Sequence, residues 1–322
     1  MPELDPVPPA GEPIVASRPR KSRAGIFFFG AFSGCLVVVI GVLILGVMIA
    51  SFAGNDATSR GDVFGDKVAI IPIEGEILGS RDAIDALHRY SRNSNVKAII
   101  MRINSPGGAI APSQEIYEEI RNVRARSGKP IVASLDSVAA SGGYYIASAC
   151  DRIIANPGSI TGSIGVILQW METKDLLAWA KLKPETITSG AMKAAGSPYQ
   201  DLTDEQRAYF QDIVTQLHSQ FVRAVAAGRK GKLTEAEVGR MADGRVFTGE
   251  QALRLKLVDE LGNLDDAVGV AARLGGIHGR PGTIYPKKRV RGLFDMLSSD
   301  ESDTETAIGR ILSRRPRFLY QW

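Results

Sequence analysis

The amino-acid sequence predicts an α/β domain that follows a single transmembrane helix. Residues 26–53 form a run of 28 residues without a charge, and from residue 67 onward short apolar runs alternate with helix-like stretches. Of the 322 residues, 44% are hydrophobic. That composition supplies enough apolar surface for a folded core and excludes a disordered chain.

The uncharged run predicts a membrane anchor over residues 25–54. About 20 apolar residues span a bilayer core as a helix, whereas the apolar part of a cleavable signal peptide has about 7–15 residues. Four positive residues lie between positions 18 and 23, so the positive-inside rule places residues 1–24 in the cytoplasm, as a disordered tail, and the body outside it. Two alternatives remain open: removal of the segment as a signal peptide, and a buried helix of a soluble protein.

Beyond the anchor, the sequence divides into a tether at residues 55–65, a body at residues 66–275 and a basic tail at residues 276–322. Within the body, apolar runs predict strands and periodic stretches predict helices. The predicted strands are residues 67–74, 96–103, 130–135 and 152–155, and the predicted helices between them are residues 82–91 and 113–126. This alternation indicates an α/β body with parallel strands.

Two capping boxes mark later helices. Thr203 and Gln206 precede a long helix over residues 204–229, and Thr248 and Gln251 begin a shorter one. The tail that follows residue 276 has no clear period. It holds nine Lys or Arg and five Asp or Glu, a net +4 that equals the net charge of the whole chain. We expect it to be solvated, with contact to an anionic membrane surface as the alternative.

Several function classes find no support. A net charge of +4 is too mild to indicate nucleic-acid binding without a recognised motif. The two cysteines, Cys35 in the anchor and Cys150 in the body, cannot pair within one chain. The three histidines (His88, His218 and His278) are scattered, and no metal-binding, phosphate-binding or dinucleotide-binding motif occurs, so we expect no metal or other cofactor.

Three glycine-rich junctions follow predicted strands. They contain Gly107-Gly108, Ser141-Gly142-Gly143 and Gly162-Ser163. Glycines at such places allow backbone N–H groups to approach a ligand or a developing oxyanion closely. Ser141 would open a short helix there. With histidine excluded, the usable base for a serine nucleophile is a lysine.

Lys193 is the candidate base, because small and apolar residues flank it in Ser-Gly-Ala-Met-Lys. A lysine amine acts as a base near neutral pH only where desolvation lowers its pKa by several units from about 10.4. Taken separately, each feature has a simpler explanation. Gly107-Gly108 could be a turn, Ser141 a helix cap and Lys193 an exposed loop residue.

Taken together and in order, these motifs resemble the signal peptide peptidase family of serine–lysine proteases (family S49), in its short bacterial form. The resemblance covers about residues 66–275 and includes Ser-Pro-Gly-Gly, Ala-Ala-Ser-Gly-Gly-Tyr-Tyr-Ile, Thr-Gly-Ser-Ile-Gly-Val and Ser-Gly-Ala-Met-Lys. It implies a ClpP/crotonase-like fold of stacked β-β-α units. It also implies a homo-oligomer in which neighbouring chains help to complete each site.

The same resemblance implies a role for each site residue. Ser141 would be the nucleophile and Lys193 the general base, with the Ser163 hydroxyl orienting the lysine amine. The Gly108 N–H would stabilise the oxyanion, with the Ser141 N–H as a second, less secure donor.

The implied activity is that of a serine endopeptidase that degrades remnant signal peptides, held in the bacterial inner membrane with its catalytic domain in the periplasm. The expected partners are therefore peptide substrates, the membrane and further copies of the chain, and no nucleic acid. Three alternatives remain: a serine–lysine protease associated with a stomatin-like protein, a crotonase-like acyl-CoA hydratase, and a non-enzymatic membrane scaffold.

Overall fold

The computed structural model of the chain describes residues 41–42, 65–286 and 317–320. The chain divides into two compact units, residues 1–62 and 63–322. In the first unit only residues 41–42 are described, and they are helical. No helix within the described ranges is long and apolar enough to cross a membrane. The predicted tail, anchor and tether lie outside those ranges, except for residues 41, 42 and 65.

The second unit alternates strands and helices, as predicted. The strands are β1 (Lys67–Glu74), β2 (Val96–Ser105), β3 (Gly108–Ala109), β4 (Ile131–Ala140), β5 (Arg152–Ala155), β6 (Ile160–Gly162), β7 (Ile167–Gln169), β8 (Val246–Thr248), β9 (Glu260–Leu261), β10 (Gly282–Ile284) and β11 (Arg317–Tyr320). The helices are α1 (Arg81–Arg92), α2 (Ile110–Ser127), α3 (Gly142–Ser148), α4 (Lys174–Trp179), α5 (Asp204–Gly228), α6 (Glu235–Met241), α7 (Gly249–Arg254) and α8 (Leu264–Leu274).

The main sheet is parallel and has the strand order β10-β1-β2-β4-β5-β9. Its central strand β4 has two partners on one edge. The first part of β4 pairs with β5 at residues 132–135, and its last part pairs with β6 at residues 138–140. Strand β8 then pairs antiparallel with β6. At the carboxyl end of β4, where β5 no longer pairs with it, the sheet therefore continues through β6 and β8.

Both faces of this sheet are covered, which explains why its strands are nearly continuous apolar runs. One face forms the larger core, which includes Ile99, Met101 and Tyr144. The opposite face forms a smaller core, in which Ile70 and Ile100 belong to the same cluster as Ala271 of α8.

The helix starts follow the predicted capping chemistry. Thr203 and Gln206 form a reciprocal capping box on α5, and Thr248 and Gln251 form one on α7. In each box the threonine hydroxyl accepts the N–H of the third helical residue, which satisfies a donor that would otherwise have no partner.

Two features differ from the expectations. Strand β4 continues to Ala140, five residues beyond its predicted end, because β6 supplies a partner for that extension. The tail after residue 276 contains strands β10 and β11, although its sequence has no strand period. Short strands paired through their backbones need no side-chain alternation, so the sequence pattern could not reveal them.

A buried ion pair joins the end of α5 to the sheet. Arg229 and Asp259 are 2% and 5% exposed at their side chains, and two hydrogen bonds of 3.0 and 2.7 Å connect guanidinium and carboxylate. Asp259 also accepts the Ile153 N–H at 2.8 Å and a hydrogen bond from Lys232. Burial acts to raise the pKa of Asp259, but the hydrogen bonds from Arg229 and Lys232 outweigh it and lower the pKa to about 2.

We expect Asp259→Asn to lower the free energy of unfolding at neutral pH by about 3–5 kcal/mol, because it leaves the Arg229 charge buried without a counter-charge. The folded-state pKa of Asp259 lies below its ordinary value of 3.8. Its contribution to stability is therefore complete above that value and is lost as the pH falls towards about 2. Chemical denaturation of parent and variant between neutral pH and pH 2 measures both effects.

The matched control is Glu118→Gln, because the Glu118–Arg121 pair is exposed on both sides and exposed pairs contribute little. Equal stability losses in the two variants, or a parallel pH dependence of parent and Asp259→Asn below pH 4, would contradict the assigned role.

Candidate active site

Ser141 occupies a strained turn between β4 and α3. Its φ is 53° and its ψ is −116°, a backbone conformation that non-glycine residues rarely adopt. The residue is 0% exposed. Its Oγ has no hydrogen-bond partner among the described residues. A serine held on a tight strand-to-helix turn with a free hydroxyl has the geometry of a nucleophile.

Ser163 lies beside Ser141, one strand over. Ala140 pairs with Gly162 at the ends of β4 and β6, so the two serines follow directly after paired residues, and neighbouring strands are about 4.8 Å apart. Ser163 is also buried, with a positive φ of 49°. Its N–H donates to the Arg245 carbonyl at 2.9 Å, which fixes this turn against the segment that leads into β8.

Gly108 lies in the turn after β2 and approaches the residue that follows Ser141. The Gly107 N–H donates to the Ser105 Oγ at 3.1 Å, which shapes the turn after β2. A Cβ atom on Gly108 would lie 2.4 Å from the Ile77 carbonyl oxygen, so no larger residue fits without moving the backbone. A Cβ atom on Gly142 would lie 3.4 Å from the Gly108 nitrogen, which puts the Gly108 amide next to the residue after Ser141.

The direction of the Gly108 N–H follows from its neighbours. Ile77 donates to the Gly107 carbonyl at 2.8 Å and accepts the Ala109 N–H at 2.8 Å. Backbone polar groups of successive strand residues point to opposite edges. The Gly108 N–H therefore points away from Ile77, towards the opposite edge of β3, where β11 pairs.

The Ser141 N–H is engaged elsewhere. It donates to the Gly162 carbonyl at 2.8 Å, as part of the β4–β6 ladder. At the start of α3, Gly142 is the residue on which a Cβ atom would lie 3.4 Å from the Gly108 nitrogen. The sequence analysis placed Gly142 in a glycine-rich junction but gave its N–H no role of its own. The sequence signal for this close approach was the glycine that directly follows Ser141, because two backbones can approach closely only where a residue lacks a Cβ atom.

Lys193 differs from the two serines in burial: its side chain is exposed, whereas both serines are buried. It belongs to an arm, residues 171–203, in which Gly196 alone is buried, and Lys193 itself is exposed. The Lys193 N–H donates to the Gly190 carbonyl at 3.1 Å, and the Gln206 side chain donates to the Ala191 carbonyl at 3.3 Å. Within the single chain, the arm does not supply the desolvation that the sequence analysis expected for Lys193.

The arm also exposes large apolar side chains. Trp179 is 82% exposed and Ile187 is 100% exposed. Met171, Leu176 and Leu182 are exposed as well. Among the described residues, neither the lysine nor these apolar side chains of the arm are covered.

Two of the three histidines, His88 and His218, have hydrogen-bond partners outside this site. His88 Nε2 lies 2.8 Å from the Glu119 carboxylate, and His218 Nε2 lies 2.7 Å from the Ala242 carbonyl oxygen. Across the described ranges, no group of three or more His, Cys, Asp or Glu residues is arranged to hold a metal ion.

Two family profiles match this chain. The sequence profile described as peptidase family S49 matches residues 124–278, and that of Clp protease matches residues 67–159. The S49 match contains Ser141, Ser163 and Lys193, and the Clp protease match contains Gly108 and Ser141.

Three curated relatives carry protease names. A Synechocystis sp. protein, provisionally named a protease, is 41% identical over 212 residues, which cover 66% of this chain and 75% of that protein. An Enterococcus faecium protein, provisionally named signal peptide peptidase SppA, is 36% identical over 60% of this chain and 55% of its own length. Protease 4 of Haemophilus influenzae is 32% identical, over 65% of this chain and 35% of its own length.

The Synechocystis relative is similar over most of its length, and the matched profiles include the strained serine and the glycine turn beside it. The chain therefore belongs to peptidase family S49, a family of serine proteases, and its body has the Clp protease-like α/β fold.

Proposed function

We propose that this chain is a serine endopeptidase with a Ser141–Lys193 dyad. The observation that carries the proposal is the state of Ser141. Its backbone is strained, its buried Oγ has no hydrogen-bond partner within the described part of the chain, and a glycine turn adjoins it. A serine in a purely structural role would gain stability from a hydrogen-bonded hydroxyl, because a buried polar atom without a partner is costly.

The proposed reaction is peptide-bond hydrolysis through an acyl-enzyme. The neutral amine of Lys193 removes the Ser141 proton, and Oγ attacks the scissile carbonyl carbon. The Gly108 N–H donates to the oxyanion, with the Gly142 N–H as the neighbouring donor. The protonated lysine then gives its proton to the leaving amine. A water molecule, deprotonated by the same lysine, hydrolyses the ester. The Ser163 hydroxyl orients the lysine amine.

We propose that a neighbouring copy completes the site. Lys193 is exposed within its own chain, and a base near neutral pH needs a desolvated lysine. The exposed apolar side chains of the arm provide the surface on which a second copy can pack. Packing of this kind would bury Lys193. It would also bring Lys193 to Ser141, either of the same chain or of the neighbouring copy.

The proposed substrates are remnant signal peptides within the membrane. The name of the Enterococcus faecium relative and the resemblance of the motifs support this substrate class. An enzyme that degrades such peptides has to work near the bilayer. We therefore propose that residues 25–54 anchor the chain in the bacterial inner membrane, with the body in the periplasm.

Ser141→Ala and Lys193→Ala should each lower kcat by about 10⁴-fold or more, because both residues act on the same proton. The assay is hydrolysis of a fluorogenic peptide with small apolar residues by the purified full chain in detergent. The matched controls are Ser137→Ala, an exposed serine of β4, and Lys183→Ala, an exposed lysine of the arm. Full activity in either dyad variant would reject the dyad. Inactivity of a folded, oligomeric parent would favour a scaffold or a protease restricted to a partner such as a stomatin-like protein.

Mixing the two inactive variants tests whether the site is shared. If Lys193 acts on Ser141 of a neighbouring copy, refolded or subunit-exchanged mixtures contain some sites with both native residues, so activity returns. If both residues of a site belong to one chain, the mixture stays inactive. The size of each assembly, measured by light scattering, confirms that the mixed chains associate.

Gly108→Ala should lower kcat by about 10²–10³-fold, with a smaller change in KM, because the new Cβ displaces the amide that donates to the oxyanion. Gly79→Ala is the matched control, since a Cβ on Gly79 meets no atom within 4 Å. Thermal unfolding confirms that both variants fold. A Gly108→Ala variant with the kcat of the parent would exclude this residue from the oxyanion site.

The anchor proposal has its own test. After an alkaline carbonate wash, the full chain should remain with bacterial membranes, because a transmembrane helix resists extraction that removes peripheral proteins. A variant without residues 25–54 should be released. Protease added to spheroplasts should digest the body of the intact chain. Protection of the body, or release of the full chain by the wash, would contradict the proposed topology.

A further inference from the structure

Ser105, the last residue of β2, is a fully buried polar residue beside the glycine turn. Its Oγ accepts the Gly107 N–H at 3.1 Å, and its hydroxyl donates to the Gly107 carbonyl oxygen at 3.4 Å. A serine hydroxyl that bonds the backbone two residues further along the chain stabilises a turn. One side chain therefore holds both backbone polar groups of Gly107.

The Gly107 carbonyl is part of the peptide unit that carries the Gly108 N–H. In a planar trans peptide unit the carbonyl and the N–H point in opposite directions. The Ile77 N–H donates to the same carbonyl at 2.8 Å, in addition to the Ser105 hydroxyl. These two donors fix the carbonyl end of the unit. They thereby fix the direction of the Gly108 N–H, which donates to the oxyanion in the proposed reaction.

Ser105 also contacts the chain on both sides of Ser141. It pairs with Ala139 of β4, two residues before Ser141. A Cβ atom on Gly143, two residues after Ser141, would lie 3.0 Å from the Ser105 carbonyl oxygen. The residue whose backbone adjoins the Ser141 turn is therefore the one whose side chain holds the glycine turn. Ser105 connects the two parts of the site.

Loss of the Ser105 hydroxyl would leave the buried Gly107 N–H without this acceptor. A buried N–H without a partner is costly, so the turn gains by moving until the N–H finds another acceptor. Gly107 has a φ of 109°, and glycine has the backbone freedom for such a movement. The peptide unit that carries the Gly108 N–H would rotate with it.

We propose that Ser105 is a positioning residue for the reaction, which holds the Gly107–Gly108 peptide unit in the direction that the oxyanion requires. This inference rests on the proposed function, since Ser105 acts through the Gly108 N–H. It takes no part in proton transfer. Its removal should therefore weaken the binding of the tetrahedral intermediate more than the binding of the substrate.

The experiment compares the full parent chain in detergent with Ser105→Ala and Ser148→Ala. Ser148 is the matched control, because it is also fully buried and its hydroxyl donates to the Tyr145 carbonyl within α3 at 2.7 Å. We expect Ser105→Ala to lower kcat for the fluorogenic peptide by about 10–100-fold, less than the loss of a whole oxyanion donor. KM should stay within about twofold of the parent. Ser148→Ala should keep the kcat of the parent.

A peptide aldehyde separates oxyanion positioning from general damage. The Ser141 Oγ adds to the aldehyde carbon, its proton passes to Lys193, and the carbonyl electron pair becomes an oxyanion beside the Gly108 N–H. We expect the Ki of the aldehyde to rise about 10–100-fold in Ser105→Ala, in step with the fall in kcat. The matching peptide alcohol forms no adduct and should bind parent and variant equally. An unchanged Ki for the aldehyde, or an equal loss for both peptides, would overturn the inference and leave the proposed function intact.

Ser105→Cys is the second variant if Ser105→Ala fails to fold. Its thiol keeps the side chain in place but is a weaker acceptor than a hydroxyl, so the aldehyde should again lose more affinity than the alcohol.

Failure of the proposed function gives a different result, because the parent would then neither hydrolyse the peptide nor prefer the aldehyde to the alcohol. Amide hydrogen exchange of residues 105–109, measured by mass spectrometry, still decides the inference in that case. Faster exchange in Ser105→Ala than in Ser148→Ala supports the role of Ser105 in holding the turn. Equal exchange in the two variants overturns it.

Discussion

The active-site geometry depends on the pairing of β6 with the extended end of β4. This ladder places the Ser141 N–H on the Gly162 carbonyl and brings Ser163 alongside. Both serines leave their strands with positive φ angles, and each such conformation costs about 1–3 kcal/mol. The ladder and the contacts of β8 offset that cost, so the position of Ser141 is set by the sheet.

The sequence allowed the layers of the fold and the glycine turns around Ser141 to be predicted, because both leave local signals. Continuous apolar runs identified the buried parallel strands, and Thr203 and Thr248 identified helix starts. The glycine turns identified the places where backbones meet. In contrast, the end of β4 was predicted too early, since the partner that extends it lies about twenty residues further along the chain.

The remaining differences have a similar cause. Strands β10 and β11 form by backbone pairing and leave no periodic pattern in the side chains. The exposure of Lys193 matches the simpler explanation that the sequence offered, an exposed loop residue. Its small and apolar neighbours indicate a lysine that can be buried, but the described chain alone does not cover it. The two serines thus belong to the sheet, whereas Lys193 belongs to an exposed arm.

The contact between the Ser163 turn and Arg245 also has a consequence for the order of folding. Strand β8 and Arg245 follow the two serines by more than eighty residues, and contacts of such large sequence separation form slowly because a long loop has to close first. During synthesis, which proceeds from the N-terminus, Ser141 and Ser163 are present before Arg245. The Ser163 turn then still lacks the carbonyl that accepts its N–H. The Ser163 turn is therefore completed late, after most of the body has folded.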